Sequence, residues 1–423
     1  MPIAAGMPNN GTAMLAQFTA RLAQLGFDIN THRLGLAVSG GGDSVALMHL
    51  AHRAGVRARV ATVDHRLRPA SADEAQVVAR ASQDLGYGHD TLIWQGWDGR
   101  GNVQDRARRA RRDLLAAWAQ QHGLDGVALA HTSGDVAEGF IMRLARGAGV
   151  DGLAAMPAHF IHDGATFLRP LLWATRDDLR YFCTGHGAVW VDDPSNEALK
   201  FERVRARKAL PQLEKMGIGP QVLANVAAHL REASDALDYA TDDLVRACLY
   251  QANGIITLAP EWQNASPELQ RRLIQRVILW IAPADYAPRG GALGEAMMRI
   301  SQGLPTQLAG CHFVQHRGQT LAFREARRCG GPTGVGALWD GVWRYVGQAA
   351  DTESKIAHLG AAGLLQWQGW RALGLPRVAL LSQPCLWADG QMIATPFLHD
   401  NAQTHAFLRG PAAVSLYSKR LSH

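Results

Sequence analysis

The sequence predicts an α/β protein. An N-terminal parallel sheet with helices on both faces is followed by a helical domain and a small β-rich C-terminal module. Three observations predict it. Apolar runs alternate with helix-compatible stretches through the first half of the chain, the pattern of repeated βαβ units. The alternation stops near Pro211, where residue spacing turns helical. From about residue 305, short strand-like runs and glycine turns take over.

In chain order, the apolar strand candidates of the first half are Leu34–Val38, Arg59–Val63, Thr91–Trp94, Val127–Ala130 and Val189–Val191. Helices are expected between them. Ser71-Ala72-Asp73-Glu74 has the form of a capping box, opening a helix to about Leu85, and Thr175-Arg176-Asp177-Asp178 resembles a second such start. Residues 212–300 read as mostly helical: Leu223, Val226, Ala227, Leu230, Ala233 and Leu237 fall near helical spacing, and Pro267 to Ile281 is amphipathic. Thr306–Phe313 and Gln319–Arg324 read as a hairpin turning at Arg317-Gly318. The Gly-, Arg- and Pro-rich residues 326–336 read as a linker. Residues 337–423 hold Trp339, Trp343, Trp367, Trp370 and Trp387 and read as the β-rich module. The expected domains are therefore 13–212, 213–328 and 337–423. Residues 1–12 are small and polar and are expected to be disordered.

Bulk composition narrows the classes. A chain of 423 residues with 47% hydrophobic content is large enough for two or three ordinary cores. No apolar run reaches the ~18 residues of a membrane span, and no basic segment followed by an apolar one suggests a secretory signal. Cys183, Cys248, Cys311, Cys329 and Cys385 lie far apart and form no C-x-x-C, which argues against a disulfide framework and against zinc or iron–sulfur ligation. A reducing cytoplasm is the expected setting. The net charge of +6 and the pI near 9.2 favour a polyanionic partner. The basic residues are nearly all arginine, which forks phosphates and stacks on bases. A GC-rich genome also favours arginine, so position weighs more than number.

The chemistry concentrates at strand ends. After the run Leu34–Val38 come Ser39-Gly40-Gly41-Gly42-Asp43-Ser44, and a helix-compatible segment follows. Glycines let a backbone approach a ligand, and the free N–H groups of a helix start receive anions. The hydroxyls of Ser39 and Ser44 add donors, and Asp43 can hold a metal that bridges phosphates. The loop lacks the Gly-Lys-Ser/Thr ending of a Walker loop and the G-x-G-x-x-G of a dinucleotide site. A glycine turn without a ligand is the plain alternative.

Asp64-His65-Arg66-Leu67-Arg68 follows the second strand, where substrate contacts belong in a parallel sheet; a solvated loop is the plain alternative. Residues 100–112 carry Arg100, Arg106, Arg108, Arg109, Arg111 and Arg112. On a helix Arg108 and Arg111 lie one turn apart, while Arg106 points elsewhere, so part of this surface can meet phosphate and part water. His131-Thr132-Ser133-Gly134-Asp135-Val136-Ala137-Glu138 follows the fourth strand. Asp135 and Glu138 are one turn apart and can face one site, as general base or metal ligand. Asp135 could equally complement the helix dipole, and Ser133 could cap the helix. Arg143 and Arg146 come a helical length later, before Gly147 and Gly149. Asp192-Asp193-Pro194-Ser195-Asn196 makes a rigid turn before Lys200, Arg203, Arg205, Arg207 and Lys208, a basic run able to grip a large anion or simply to face water.

The loop at 39–44 matches the S-G-G-x-D-S signature of PP-loop ATP pyrophosphatases, which cleave ATP between the α and β phosphates. The order of SGGGDS, VDHRLR, the Asn102–Arg112 stretch, HTSGDVAE with RLARGAGVDGL, and DDPSN with its basic follow-on resembles the tRNA(Ile)-lysidine synthetase family over residues 30–213. Thr306 to Cys311 resembles a later β segment of that family. The resemblance implies a Rossmann-like PP-loop domain that uses ATP with Mg²⁺. It also implies tRNA(Ile) with a CAU anticodon and L-lysine as the other reactants. The wobble cytidine is adenylated at carbon 2, and the lysine ε-amine then displaces AMP to give lysidine. By motif position, Asp43 and Asp135 are the expected metal or catalytic carboxylates. Arg108 and Glu138 are expected in catalysis, with Asp135 or Glu138 as base. ATP is expected at Ser39, Gly40, Gly41, Gly42, Asp43, Ser44, Asp64, His65, Arg111 and His131. The tRNA is expected at Arg143, Arg146, Arg203, Arg205 and Arg207. The chain departs from the family pattern at Gly134, Val136, Gly139, Gln104 and Arg112. Two other readings remain: another PP-loop tRNA-modifying enzyme, and an inactive ATP- and tRNA-binding paralogue.

Overall fold

A computed structural model describes residues 10–66, 71–95, 103–154, 156–191, 202–284, 287–288, 290–347, 353–398, 405–409 and 416. The chain divides into two compact units, one ending at Ser234 and the other beginning at Asp235. The first unit runs α1 (Asn10–Gln24), β1 (Leu34–Ala37), α2 (Gly42–Arg53), β2 (Ala58–Asp64), α3 (Ser71–Asp84), β3 (Gly88–Ile93), α4 (Val103–Gln121), β4 (Gly126–Leu129), α5 (Ser133–Leu144), α6 (Val150–Leu153), β5 (His159–His162), β6 (Ala165–Leu168), α7 (Arg176–Gly185) and α8 (Glu202–Lys215). The division falls within α9 (Pro220–Cys248).

The six strands of the first unit lie in the order β3-β2-β1-β4-β6-β5. All neighbours are parallel except the β5/β6 hairpin. Every residue of β1 and of β4 is buried, as expected for central strands covered on both faces. Phe18, Leu22, Leu47, Met48, Val78 and Leu179 bring α1, α2, α3 and α7 onto one face. Leu115, Ala116, Trp118 and Ala119 of α4 fill the other. Gly35 lets that layer close: a Cβ there would stand 2.6 Å from the Trp118 ring.

This order creates a switch point. From β1 the chain moves outward through β2 and β3, then returns to lay β4 on the other side of β1. The connections after β1 and β4 therefore leave in opposite directions, and a crevice opens at the carboxyl ends of these strands, where such sheets bind ligands.

Several local expectations change. Val189–Val191 is not a strand; the run has a single backbone bond to the loop, Val191 N–H to the Gly40 carbonyl at 3.0 Å. The sheet is completed instead by β5 and β6, which turn at Asp163-Gly164 with φ of 44° and 74°. Helix α1 already includes residues 10–12. Pro211 lies inside α8.

The second unit is described by itself. Its five-stranded sheet has the order β7-β8-β11-β10-β9, formed by β7 (Leu249–Ala252), β8 (Ile255–Leu258), β9 (Thr306–Leu308), β10 (Cys311–His316) and β11 (Gln319–Arg324). With α10 (Pro267–Ile281) and α11 (Gly290–Ser301) it encloses a core around Trp262, Ile274, Val277 and Phe313. The β7/β8 hairpin interrupts residues 212–300, which are otherwise mostly helical as expected. The run Thr306–Phe313 is broken by a turn at Ala309-Gly310 with φ of 49° and 79°. Arg272 is wholly buried and pairs with Asp238 and Glu268, so this basic side chain is structural. Residues 326–336 are more than a linker: β12 (Thr333–Gly334) pairs with β14 (Lys355–His358). The remainder is β-rich, with β13 (Trp343–Gly347), β15 (Pro384–Ala388), β16 (Gln391–Ala394) and β17 (His405–Arg409) beside the short helices α12 (Gly360–Gln366) and α13 (Arg377–Leu380). Among the described residues no helix is long and apolar enough to cross a membrane.

A candidate nucleotide site at the strand ends

The glycine loop follows β1 directly. Gly40 has φ of 87°, a conformation that suits glycine. Gly41 then takes the cap position of α2, and no side chain caps that helix. Ser44 turns back instead: its Oγ donates to the Gly41 carbonyl at 2.8 Å and accepts from the Ser39 N–H at 3.1 Å. The hydroxyls of Ser39 and Ser44 are 3.3 Å apart. The two serines thus brace a glycine turn at an uncapped helix start, where orphan N–H groups and the helix dipole favour an anion.

Helix α5 follows β4, the strand beside β1. Its start is closed by a capping box between Thr132 and Asp135, so the expected cap at Ser133 is corrected; the Ser133 hydroxyl donates to the Ala174 carbonyl. Asp135 uses Oδ2 for the cap, accepting from the Thr132 N–H at 2.7 Å, and Oδ1 for arginine. One turn on, Glu138 is 1% exposed and its carboxylate faces the same way.

Three arginines converge on these carboxylates. Arg176 opens α7 and reaches Asp43 (3.3 Å), Asp135 (3.1 Å) and Glu138 (3.3 Å). Arg203 of α8 pairs with Asp135 and, at 2.6 Å, with Glu138. Arg207, one turn further, pairs with Glu138 at 2.8 Å. Burial alone would raise the Asp135 carboxyl, but Arg203 and Arg176 outweigh it and hold it below the ordinary carboxylate range. Asp43 goes the other way, because burial outweighs the pull of Arg176. Glu138 keeps three guanidinium partners at almost no exposure, an arrangement costly to break from one side.

Beside this network lie Arg108, Arg111, Arg112 and Arg169, which make no ion pair among the described residues. Burial, then Arg203 and Arg112, lowers Arg108; burial, then Arg108, lowers Arg111. Arg169, just beyond β6, is brought down to about 9 by burial and by Arg108 and Arg112. His131 is pushed down to about 3 by burial and Arg169, and His65 is lowered by burial and Arg111. Among the described residues, the buried His65 Nδ1 and Arg112 Nε have no hydrogen-bond partner. Such a cluster is electrostatically strained until an anion enters.

The structure thus places the loop 39–44, His65, Arg108, Arg111, His131, Asp135 and Glu138, all read from sequence, around the ends of these strands. Asp64 is buried and accepts from the Arg66 N–H at 2.8 Å, bracing its turn. Arg203 and Arg207 turn inward onto carboxylates, whereas Arg205 is exposed. Arg146 is exposed and pairs with Glu202. Arg143 is half-buried, with its ionisation disfavoured by burial and by Arg231. Arg109 pairs with Asp105 on the wet side of α4. Leu67, Arg68, Arg100, Asn102, the Asp192–Asn196 turn and Lys200 lie outside the described residues. Sequence reading missed two arginines. Arg176 stands in the recognised capping box but had been read only as a helix start. Arg169 follows a strand that was not recognised.

The PP-loop domain family matches residues 14–214. The chain is 44% identical to the tRNA(Ile)-lysidine synthase of Ruegeria pomeroyi over 86% of its own length and 88% of the relative's. It is 31% identical to that of Wolbachia pipientis wMel over 70% of its length and 72% of the relative's. It is 41% identical to that of Bradyrhizobium sp. BTAi1 over 52% of its length and 63% of the relative's.

Proposed function

Because this chain belongs to the tRNA(Ile)-lysidine synthase family, we propose that its strand-end crevice is where ATP, the wobble cytidine and lysine react. The activity is the ATP-dependent formation of lysidine on tRNA(Ile). The observation that carries the placement is the pairing, on neighbouring strands, of an uncapped glycine-rich helix start with a cluster of arginines that make no ion pair among the described residues. A triphosphate supplies the charge this cluster lacks.

In the first step, oxygen 2 of the cytidine attacks the α-phosphorus, and the bond to the bridging oxygen breaks to release pyrophosphate. The loop 39–44 holds the pyrophosphate end, so that the attacking and leaving oxygens stay in line. Arg108 and Arg111 stabilise the charge that develops on the phosphoryl oxygens. The first step gives a C2–O–AMP linkage, and AMP is then a competent leaving group. In the second step, the neutral ε-amine of lysine attacks carbon 2, forming the C–N bond as AMP departs.

Asp43 and Asp135 fit a hard divalent cation: both offer carboxylate oxygen, and both face the one guanidinium of Arg176. They would hold Mg²⁺, which when bound neutralises charge on the leaving pyrophosphate. Asp135 and Glu138 draw in the lysine ammonium. The arginine partners of Asp135 make it a weak base, so a guanidinium must withdraw as the ammonium arrives before it can take the proton. Arg143, Arg146 and Arg205 remain for the tRNA backbone, with Arg203 and Arg207 assigned first to the carboxylates.

The test is release of pyrophosphate from ATP with tRNA(Ile) bearing a CAU anticodon and no lysine. Release that depends on this tRNA supports adenylation at this site. Binding of tRNA without release would identify an inactive paralogue, and release with a different tRNA would identify another modifying enzyme.

A further inference from the structure

Arg169 is 6% exposed, and among the described residues no carboxylate lies within ion-pair distance of it. Its guanidinium is nevertheless held on three sides. Nη1 donates to the Pro157 carbonyl at 2.5 Å, the plane lies 4.4 Å over the Phe160 ring, and Nε donates to Nδ1 of His131 at 3.2 Å. Phe160 is itself stacked on Phe167 at 4.9 Å. The side chain is fixed in place without a counter-charge.

The bond to His131 has one chemical reading. A guanidinium has donors only, so the ring nitrogen that faces it must offer its lone pair. Nδ1 is then unprotonated. A neutral imidazole with a bare Nδ1 carries its hydrogen on Nε2, and the doubly protonated cation is excluded. We infer that Arg169 is a positioning residue that pins His131 in its neutral Nε2–H form, making the ring a fixed hydrogen-bond donor for an anionic ligand.

The surroundings agree. The charged groups facing His131 are Arg169 after β6, Arg111 of α4, Asp135 of α5 and Arg203 of α8. Three of the four are cations, which oppose a charged ring. A neutral donor adds a hydrogen bond without adding repulsion to the arginine cluster. His131 follows β4 at the switch point, and its Nε2–H is assigned to a ligand in the crevice there. The nature of that partner, an oxygen of ATP or of the adenylate, rests on the function proposed above; the tautomer does not.

Long-range nitrogen–proton spectra of the full chain with ¹⁵N-histidine test the inference, His131 being assigned by its loss in His131→Gln. At pH 7 the wild type should show one protonated nitrogen, Nε2. In Arg169→Ala the other tautomer or the imidazolium should appear; if that variant fails to fold, the wild-type spectrum still decides. An Nδ1–H or doubly protonated ring in the wild type would overturn the inference. Activity gives a second readout. A glutamine amide overlays Nε2 and an asparagine amide overlays Nδ1, so His131→Gln should stay within about tenfold of wild type. His131→Asn should lose about 100-fold, the usual effect of removing one such donor. The reverse order would also overturn it. A correct tautomer whose Nε2 signal ignores a non-hydrolysable ATP analogue would count against the nucleotide site alone.

Discussion

Nε of Arg176 lies 3.3 Å from Oδ2 of Asp43. This contact joins the glycine loop after β1 to helix α7, and through the same guanidinium to Asp135 and Glu138 on α5. The glycine loop and the carboxylate pair are therefore one electrostatic unit, and Arg176 is its hinge.

Replacing Arg176 with alanine should unpair Asp43 while leaving Arg203 and Arg207 on Glu138. Lysidine formation should fall by at least about 100-fold, the scale of removing an organised charge from a reacting site. Arg176→Lys should recover part of the loss, since it keeps the charge but not the three-way fork. Steady-state rates of variants with wild-type circular dichroism would check this.

Gly40 sits at φ of 87°, and a Cβ there would meet Val78 Cγ2 at 3.4 Å. Gly40→Ala should cost about 1–3 kcal/mol of backbone strain. The loop can relieve it only by moving, so KM for ATP should rise by about tenfold or more. Thermal unfolding and ATP kinetics on the same variant would report both effects.

The Thr132–Asp135 capping box closes the start of α5, which carries Asp135 and Glu138. Thr132→Ala should destabilise by about 1 kcal/mol, and Thr132→Ser by much less. Since Asp135 Oδ2 loses the Thr132 hydroxyl at 3.1 Å and keeps only the backbone N–H, the alanine variant should also lose activity out of proportion to its stability. Urea unfolding beside rate measurements would separate the two.

A pH effect comes from outside the site. Arg59 forks Asp90, and with Trp118 Nε1 it holds the Asp90 carboxyl down to about 2 from an ordinary 3.8. A carboxyl lowered by folding stabilises the fold fully above its unfolded value and loses that contribution as pH falls through the folded one. The contribution is about 2 kcal/mol at most, since the pair is partly exposed. The stability gap between wild type and Asp90→Asn should therefore be full at pH 6 and shrink between about pH 4 and pH 2, as urea titrations at each pH would show.

The strand ends were legible because phosphate chemistry imposes a local pattern. A glycine turn after an apolar run, and carboxylates one turn apart after another, mark function without any knowledge of distant contacts. Hairpins were less visible, although their turns carried a signal: Asp163-Gly164 and Asn253-Gly254 both adopt positive φ, as Arg317-Gly318 does in the hairpin that was recognised. Val189–Val191 has strand composition, but β6 takes the place beside β4, so tertiary competition overrode propensity. Arg176 and Arg169 were invisible for a different reason. Each is a lone arginine whose role comes from a partner far along the chain: Asp43 is 133 positions from Arg176, and His131 is 38 from Arg169.

The central claim is that the Asp43 loop and the Asp135 carboxylate serve one lysine-transferring reaction. The most direct measurement is incorporation of radiolabelled lysine into tRNA(Ile) with a CAU anticodon by the purified chain, with ATP and Mg²⁺, beside Asp43→Ala and Asp135→Ala. The account predicts label in the tRNA with wild type and ATP, and a loss of at least about 100-fold in each variant. Equal labelling by folded wild type and variants would contradict it.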